Sequence, residues 1–137
     1  MAVTDELFTR LTTFAGLQAL IGDRAYPVEL PQRPTYPALT YEQISAVRPS
    51  AMGKDVGVVR SRFQINVWTE DADTGPSAFD SQVSVKEQVR LALQRWTNAS
   101  GTVVQDTFFL NEGPNTVDTE GRVHRLPLDF EINYEES

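Results

Sequence analysis

No cysteine occurs among the 137 residues, which excludes disulfides, thiolate metal sites and thiol nucleophiles by composition. Stability must come from packing or from partner subunits. Histidine is almost absent as well: His124 is the only one, and acid–base catalysis ordinarily needs two groups with separated pKa values, one of them usually histidine. It falls between Val123 and Arg125 on the polar side of an alternating run, and reads as a solvated strand histidine rather than a general base. Basic charge is also scarce. Lys+Arg 12 against Asp+Glu 19 leaves −7, and no stretch gathers the positive residues into a basic face, which disfavours a protein that grips nucleic acid through phosphates. The same acidity suits a wall past which DNA slides without sticking. There is no glycine-rich phosphate loop, serine elbow or paired-histidine zinc motif, and Gly53-Lys54 is not a P-loop, being followed by Asp55 rather than Ser or Thr. No apolar run is long enough to span a membrane. Met1 to Arg10, with Asp5 and Glu6, does not look like a signal peptide, so the chain is expected to be made and kept in a cytoplasm until an assembly captures it.

What is present is the pattern of a small α+β protein, expected as one domain over 1–137. Thr4 and Asp5 offer an N-cap for a first helix carrying Leu7, Phe8, Leu11, Phe14 and Ala15. Gly16 interrupts it, and a short apolar turn follows to Gly22. Prolines 27, 31, 34 and 37 make Ala25 to Pro37 a fixed, extended crossing, anchored by Tyr26, Val28, Leu30 and Tyr36. Strands are expected at Ala38 to Ile44 and Arg60 to Trp68, the second with Phe63, Ile65 and Val67 on one face. A long helix is expected from Ser77 to about Trp96, spanning roughly 30 Å, with Phe79, Val83, Lys86, Val89, Arg90, Leu93 and Trp96 along one face. Short extended pieces follow at Thr102 to Gln105 and Phe108 to Leu110, then a turn at Asp118 to Gly121. A last strand runs from Arg122 to Tyr134 and contains Pro127, which suggests an edge or a bulge. The fold class is thus an antiparallel β-sheet with an N-terminal helix and one long helix packed against it.

The residues that stand out are not catalytic. Ser45 to Val59 is long for a hairpin loop and mixes Met52, Val56 and Val58 with Arg48, Lys54 and Asp55, which suits contact with a neighbouring molecule. Trp68 is out of phase with Phe63, Ile65 and Val67 and is a further interface candidate. Glu70, Asp71 and Asp73 form an acidic turn, candidates for an acidic surface or channel wall. They lack the ligand spacing of an EF-hand and serve more simply as negative charge before a helix N-terminus. No cofactor, metal or membrane is expected.

The order of features then matters more than any single residue. Leu17-Gln18-Ala19-Leu20-Ile21-Gly22-Asp23-Arg24-Ala25-Tyr26-Pro27 leads through Leu30-Pro31-Gln32-Arg33-Pro34-Thr35-Tyr36-Pro37 into the strand Ala38-Leu39-Thr40-Tyr41-Glu42. The strand Arg62 to Trp68, the long helix and Val123-His124-Arg125-Leu126-Pro127-Leu128-Asp129-Phe130 complete the series. In this the chain resembles the tail completion, tail terminator or tail-to-head joining family of siphophage-type tails and gene transfer agents. The resemblance implies a non-enzymatic virion subunit that forms a ring, hexameric in the family, capping the tail tube and joining it to the head connector or stopper. It also implies the major tail tube protein as a partner, a location at the head-proximal end of the tail, and DNA passing without specific binding. The rival reading is a soluble, non-enzymatic binding or adaptor module of a cellular complex. A metal-dependent hydrolase using the acids at 70–73 is the third.

Overall fold

The computed structural model describes residues 3–48, 50–51, 54–55, 57–71, 77–97, 104–118 and 122–135. In chain order the helices are α1 (Val3–Thr13), α2 (Ala15–Ile21) and α3 (Ala78–Leu93). The strands are β1 (Ala25–Pro27), β2 (Ala38–Val47), β3 (Ser50–Ala51), β4 (Lys54–Asp55), β5 (Val58–Glu70), β6 (Val104–Glu112), β7 (Thr116–Val117) and β8 (Val123–Glu135). Six strands make one sheet in the order β1-β2-β5-β8-β6, with β7 also on β8, while β3 and β4 pair separately. The α+β class is as expected. The sheet is mixed rather than wholly antiparallel, since β1 runs parallel to β2, an arrangement that their long connection of ten residues makes possible.

Alternation in β5 and β8 decides which face is buried. Val59, Phe63, Ile65 and Val67 of β5 lie opposite or beside Tyr134, Phe130, Leu128 and Leu126 of β8, all buried, and the three helices cover this face. Leu7 and Leu11 of α1, Leu17 and Ile21 of α2, and Val85, Val89 and Leu93 of α3 complete one cluster with them. Phe63, Phe130 and Phe109 form a row across β5, β8 and β6, and the last two rings stack at 5.1 Å.

Several expectations about the helices are corrected. α1 already includes Thr4 and Asp5, so they do not cap it, and Phe8 faces outward. The break between the first two helices falls at Phe14, whose extended ψ of 118° ends the helical run, and not at Gly16. Gly16 lies inside α2, where a Cβ would meet Oε1 of Gln88 on α3 at 1.9 Å. α3 spans 16 residues, about 24 Å, and stops at Leu93 with Arg95 in a left-handed conformation. Its buried face is Ala78, Gln82, Val85, Val89, Ala92 and Leu93, while Phe79 and Val83 are exposed. Trp96 is buried, but from beyond the helix end. The helix start is as foreseen: Ser77 Oγ accepts from the Asp80 N–H at 3.1 Å.

β8 is not an edge strand. β5 flanks it along its whole length, and β6 and β7 share its other side. Pro127 is tolerated because it falls between the ends of β6 and β7. Its carbonyl accepts from the Gly113 N–H at 2.8 Å on that side, the direction in which its missing N–H would also have pointed. From Val104 on, the two short pieces expected between 102 and 110 are one strand, β6, interrupted by bulges at Val104/Asp106 and Phe109/Asn111, while Thr102 and Val103 lie outside the described residues. His124 has the core parity rather than the polar one, pairing with Thr69 and Val117. It is half-buried, with Nδ1 3.0 Å from Asn115 Nδ2.

Two stability effects follow from local geometry. A Cβ on Gly113 would lie 2.6 Å from Cγ of Pro127, so Gly113→Ala is expected to cost about 1 kcal/mol by overpacking against a rigid ring, read as a lower urea midpoint. Val28 holds φ 66°, a left-handed conformation that a β-branched residue adopts at a cost of about 1–2 kcal/mol. Val28→Asn, at a position 64% exposed, is therefore expected to raise the melting temperature.

Candidate assembly surfaces

The face of the sheet opposite the helices carries an ordered polar network. Even-numbered residues of β5 and odd-numbered residues of β8 point there, as the register places Gln64 opposite Asp129, Arg62 opposite Glu131 and Trp68 opposite Arg125. Arg62 Nη2 reaches Asp129 Oδ2 at 2.8 Å, and Gln64 Nε2 donates to Asp129 Oδ1 at 3.2 Å. Arg125 Nη2 donates to Gln64 Oε1 at 3.0 Å, and its guanidinium lies 5.9 Å from the centre of the Trp68 ring. Trp68 Nε1 in turn donates to Thr40 Oγ1 at 3.0 Å. Trp68 is thus held in a lattice that ties β2, β5 and β8 together, half-buried on the helix-free face. Glu42, Glu131 and Glu135 share this face with Asp129, against Arg60, Arg62 and Arg125.

The segment 45–59 is less a loop than a strand-built arm. β2 continues to Val47 and β5 begins at Val58, with the small β3–β4 ladder beyond them. A bulge between Gln43 and Ser45 places Ile44 outside the register, 49% exposed, and Val47 is 56% exposed. Arg48 is exposed at the root of the tip and Val58 is half-buried. Lys54 and Asp55 form β4, while Met52 and Val56 lie outside the described residues. Charge is concentrated here after all: from Gln43 to Phe63 four bases face one acid, +3, leaving eight bases and eighteen acids, −10, elsewhere.

The two edges of the sheet differ. At β6 the backbone is already engaged. Arg95 N–H donates to the Thr107 carbonyl and Gln94 Oε1 accepts from the Phe109 N–H, both at 2.8 Å, while Asp106 Oδ1 accepts from the Thr107 N–H at 2.9 Å. These bonds and the two bulges blunt that edge against strand addition. At β2 the cover stops early. β1 pairs only with Leu39–Tyr41, and among the described residues no strand lies outside Gln43–Val47, a stretch with no charged side chain.

The acidic turn is partly structural. Asp71 Oδ1 accepts from the Ala78 N–H at 2.7 Å and so caps α3, while its carbonyl accepts from Arg122 Nη2 at 2.8 Å. Glu70 is exposed at the end of β5, and Asp73 lies outside the described residues. Among the described residues no cluster of three or more His, Asp or Glu side chains could hold a metal ion. No described helix is long and apolar enough to cross a membrane. The sequence points to the arm and to Trp68 as separate features. The Arg62–Gln64–Arg125–Asp129 network escapes it, because the partners are brought together only by strand register.

Titration adds one feature near the arm. Tyr41 faces the core from β2, and burial, helped by the charge of Asp5, raises its hydroxyl pKa above the usual value of 10.0. The neutral form is the one the fold favours. Its contribution is fully present below the unfolded value and lost as pH rises through the raised folded value. Melting temperatures followed from neutral to alkaline pH are expected to fall less steeply above about pH 10 in Tyr41→Phe than in the parent chain.

The model of the family described as tail completion protein gp17 matches residues 5–135. The chain belongs to this family. The fold agrees with membership: a chain of the solved structure described as the virion of a native gene transfer agent particle superposes with a TM-score of 0.73 at 21% identity. The match covers 94% of this chain and 91% of that one. No curated protein sequence matches. For a tail completion protein, a site made of edges, an arm and a polar face is what the chemistry of the chain provides.

Proposed function

We propose that the protein is a structural tail subunit that forms a ring, six-fold as the family resemblance implies, at the head-proximal end of the tail tube. There it caps the tube and joins it to the head connector or stopper. The observation that carries this reading is the match of the tail completion family over residues 5–135; the two unlike edges of the sheet support it, because a ring is built from heterologous contacts that close.

In such a ring the helix-free face suits the lumen. Its acids outnumber its bases, and its arginines are partly engaged, Arg62 by Asp129 and Arg125 by Gln64 and Trp68. A surface of this kind repels phosphates and lets duplex DNA pass without specific binding. The partners are then further copies of the chain, the major tail tube protein and the connector or stopper. The chemistry is non-enzymatic and the site is the virion, reached from the host cytoplasm during assembly. Deleting the gene from a producing strain tests this. The expected result is filled heads separated from tails, with joining restored by the chain supplied in trans; normal joined particles without the chain would contradict it.

A further inference from the structure

We propose that the root of the arm, the uncovered β2 edge at Gln43–Val47, docks on the α3–β7 flank of a second copy. The proposal rests on the ring reading and specifies its contact.

The donor surface is defined by what is missing around it. Gln43–Val47 has neither a described partner strand on its outer side nor, within its own five residues, a charge or proline of the kind that ordinarily protects an edge. It exposes Ile44 and Val47. The β3–β4 tip beyond it pairs over only two residue pairs, and an isolated two-stranded ladder is marginal in water, so it gains most from a neighbour. Continuation of the sheet into the next copy through β6 is opposed by the bonds that engage Thr107 and Phe109 on that strand.

The receiving surface lies on the opposite side of the molecule. Phe79 is 57% exposed, Val83 40% and Val117 48%. They are gathered on one flank because Gln82, next to Val83, donates to Asn115 Oδ1 at 2.8 Å, and Lys86, one turn on, reaches Glu112 at 3.2 Å. Three large apolar side chains exposed together at the junction of a helix and a two-residue strand have no role in the core. Charge beside the docking segment adds to the match: Arg48 follows Val47 and Arg60 pairs with it, both exposed, and Asp80, Glu112 and Asp118 are exposed on and beside this flank. The two surfaces are different and lie on opposite sides, so the contact is heterologous and propagates around a ring rather than stopping at a dimer. A DNA ligand for this edge is disfavoured, since Gln43–Val47 carries no charge with which to hold phosphates.

The absence of native cysteine makes the test clean. Particles are prepared with the chain as Val47→Cys/Val83→Cys, and separately as Val47→Cys/Val117→Cys. All three positions are substantially exposed, and thermal melts of the purified variants check that they fold. Isolated tails are treated with a short bis-maleimide and run on a denaturing gel. The expected result is a ladder of chain multiples in at least one double variant, with each single variant remaining monomeric. Tails that contain the chain but give no ladder with either pair would overturn the contact, as would dimers from Val47→Cys alone, which would mean that arm meets arm. Retention of duplex DNA by the purified chain, lost in Arg60→Gln, would also overturn it, because the arm's charge would then serve phosphates. Intact tails lacking the chain altogether would instead overturn the ring reading beneath it.

Discussion

Phe130→Ala is expected to destabilise the protein by about 3–5 kcal/mol, a large share of the roughly 5–15 kcal/mol that holds a domain of this kind folded. Phe130 is fully buried at the middle of β8, opposite Phe63 of β5 on one side and Phe109 of β6 on the other. Stacking with Phe109 at 5.1 Å adds to the area lost. The strands around the ring are each fixed by their own ladders, so the cavity cannot close by a small side-chain shift. Urea unfolding of the two proteins measures the difference. A loss below about 1 kcal/mol would show that the site collapses freely, and that the aromatic row is not the centre of the core.

The second large effect concerns the polar face. Asp129 has a side chain only 9% exposed, whereas that of Arg62 is 47% exposed. Arg62→Met leaves the carboxylate buried with Gln64 as its remaining charge-facing donor, and is expected to cost about 2 kcal/mol. That is below the range for a fully buried pair, because Arg62 already sees water. Asp129→Leu alone costs less, since the freed guanidinium can be solvated. The double variant Arg62→Met/Asp129→Leu is expected to recover most of the loss, because no buried charge is then left uncompensated. A double-mutant cycle by urea unfolding reads the coupling directly. Additive losses would mean that the pair is a surface ornament and that the helix-free face owes its order to something else.

The parts of the fold legible in the sequence are those in which one residue period reports one buried face. β5 and β8 alternate because odd positions of β5 and even positions of β8 face the helix layer while the others face the polar side, and most of their inward residues are identifiable from spacing alone. α3 was only half legible. Its apolar residues fall on two faces, and what turns Phe79 and Val83 outward is Gln82, a polar residue buried through its bond to Asn115. β6 reads as two fragments because each bulge shifts the alternation by one residue. The parallel β1 is three residues long and carries no period at all.

The candidate surfaces divide in the same way. The arm can be found in the sequence as a long mixed stretch between two strands, and Trp68 as a large residue out of phase. The bonds that seal the β6 edge come from Gln94 and Arg95 at the end of α3, and the network on the helix-free face joins residues more than sixty positions apart. Neither can be read before strand order and register are known, and it is their combination, one edge sealed and the other open, that distinguishes two ends of the subunit.

The central claim is that this chain forms the ring between tail tube and head, and cryo-electron microscopy of the head–tail junction in assembled particles tests it most directly. The expected map shows copies of this α+β fold arranged in one closed ring at the head-proximal end of the tube, with the helix-free face toward the DNA path. Finding the fold elsewhere in the particle, or no copy of it at the junction, would contradict the account.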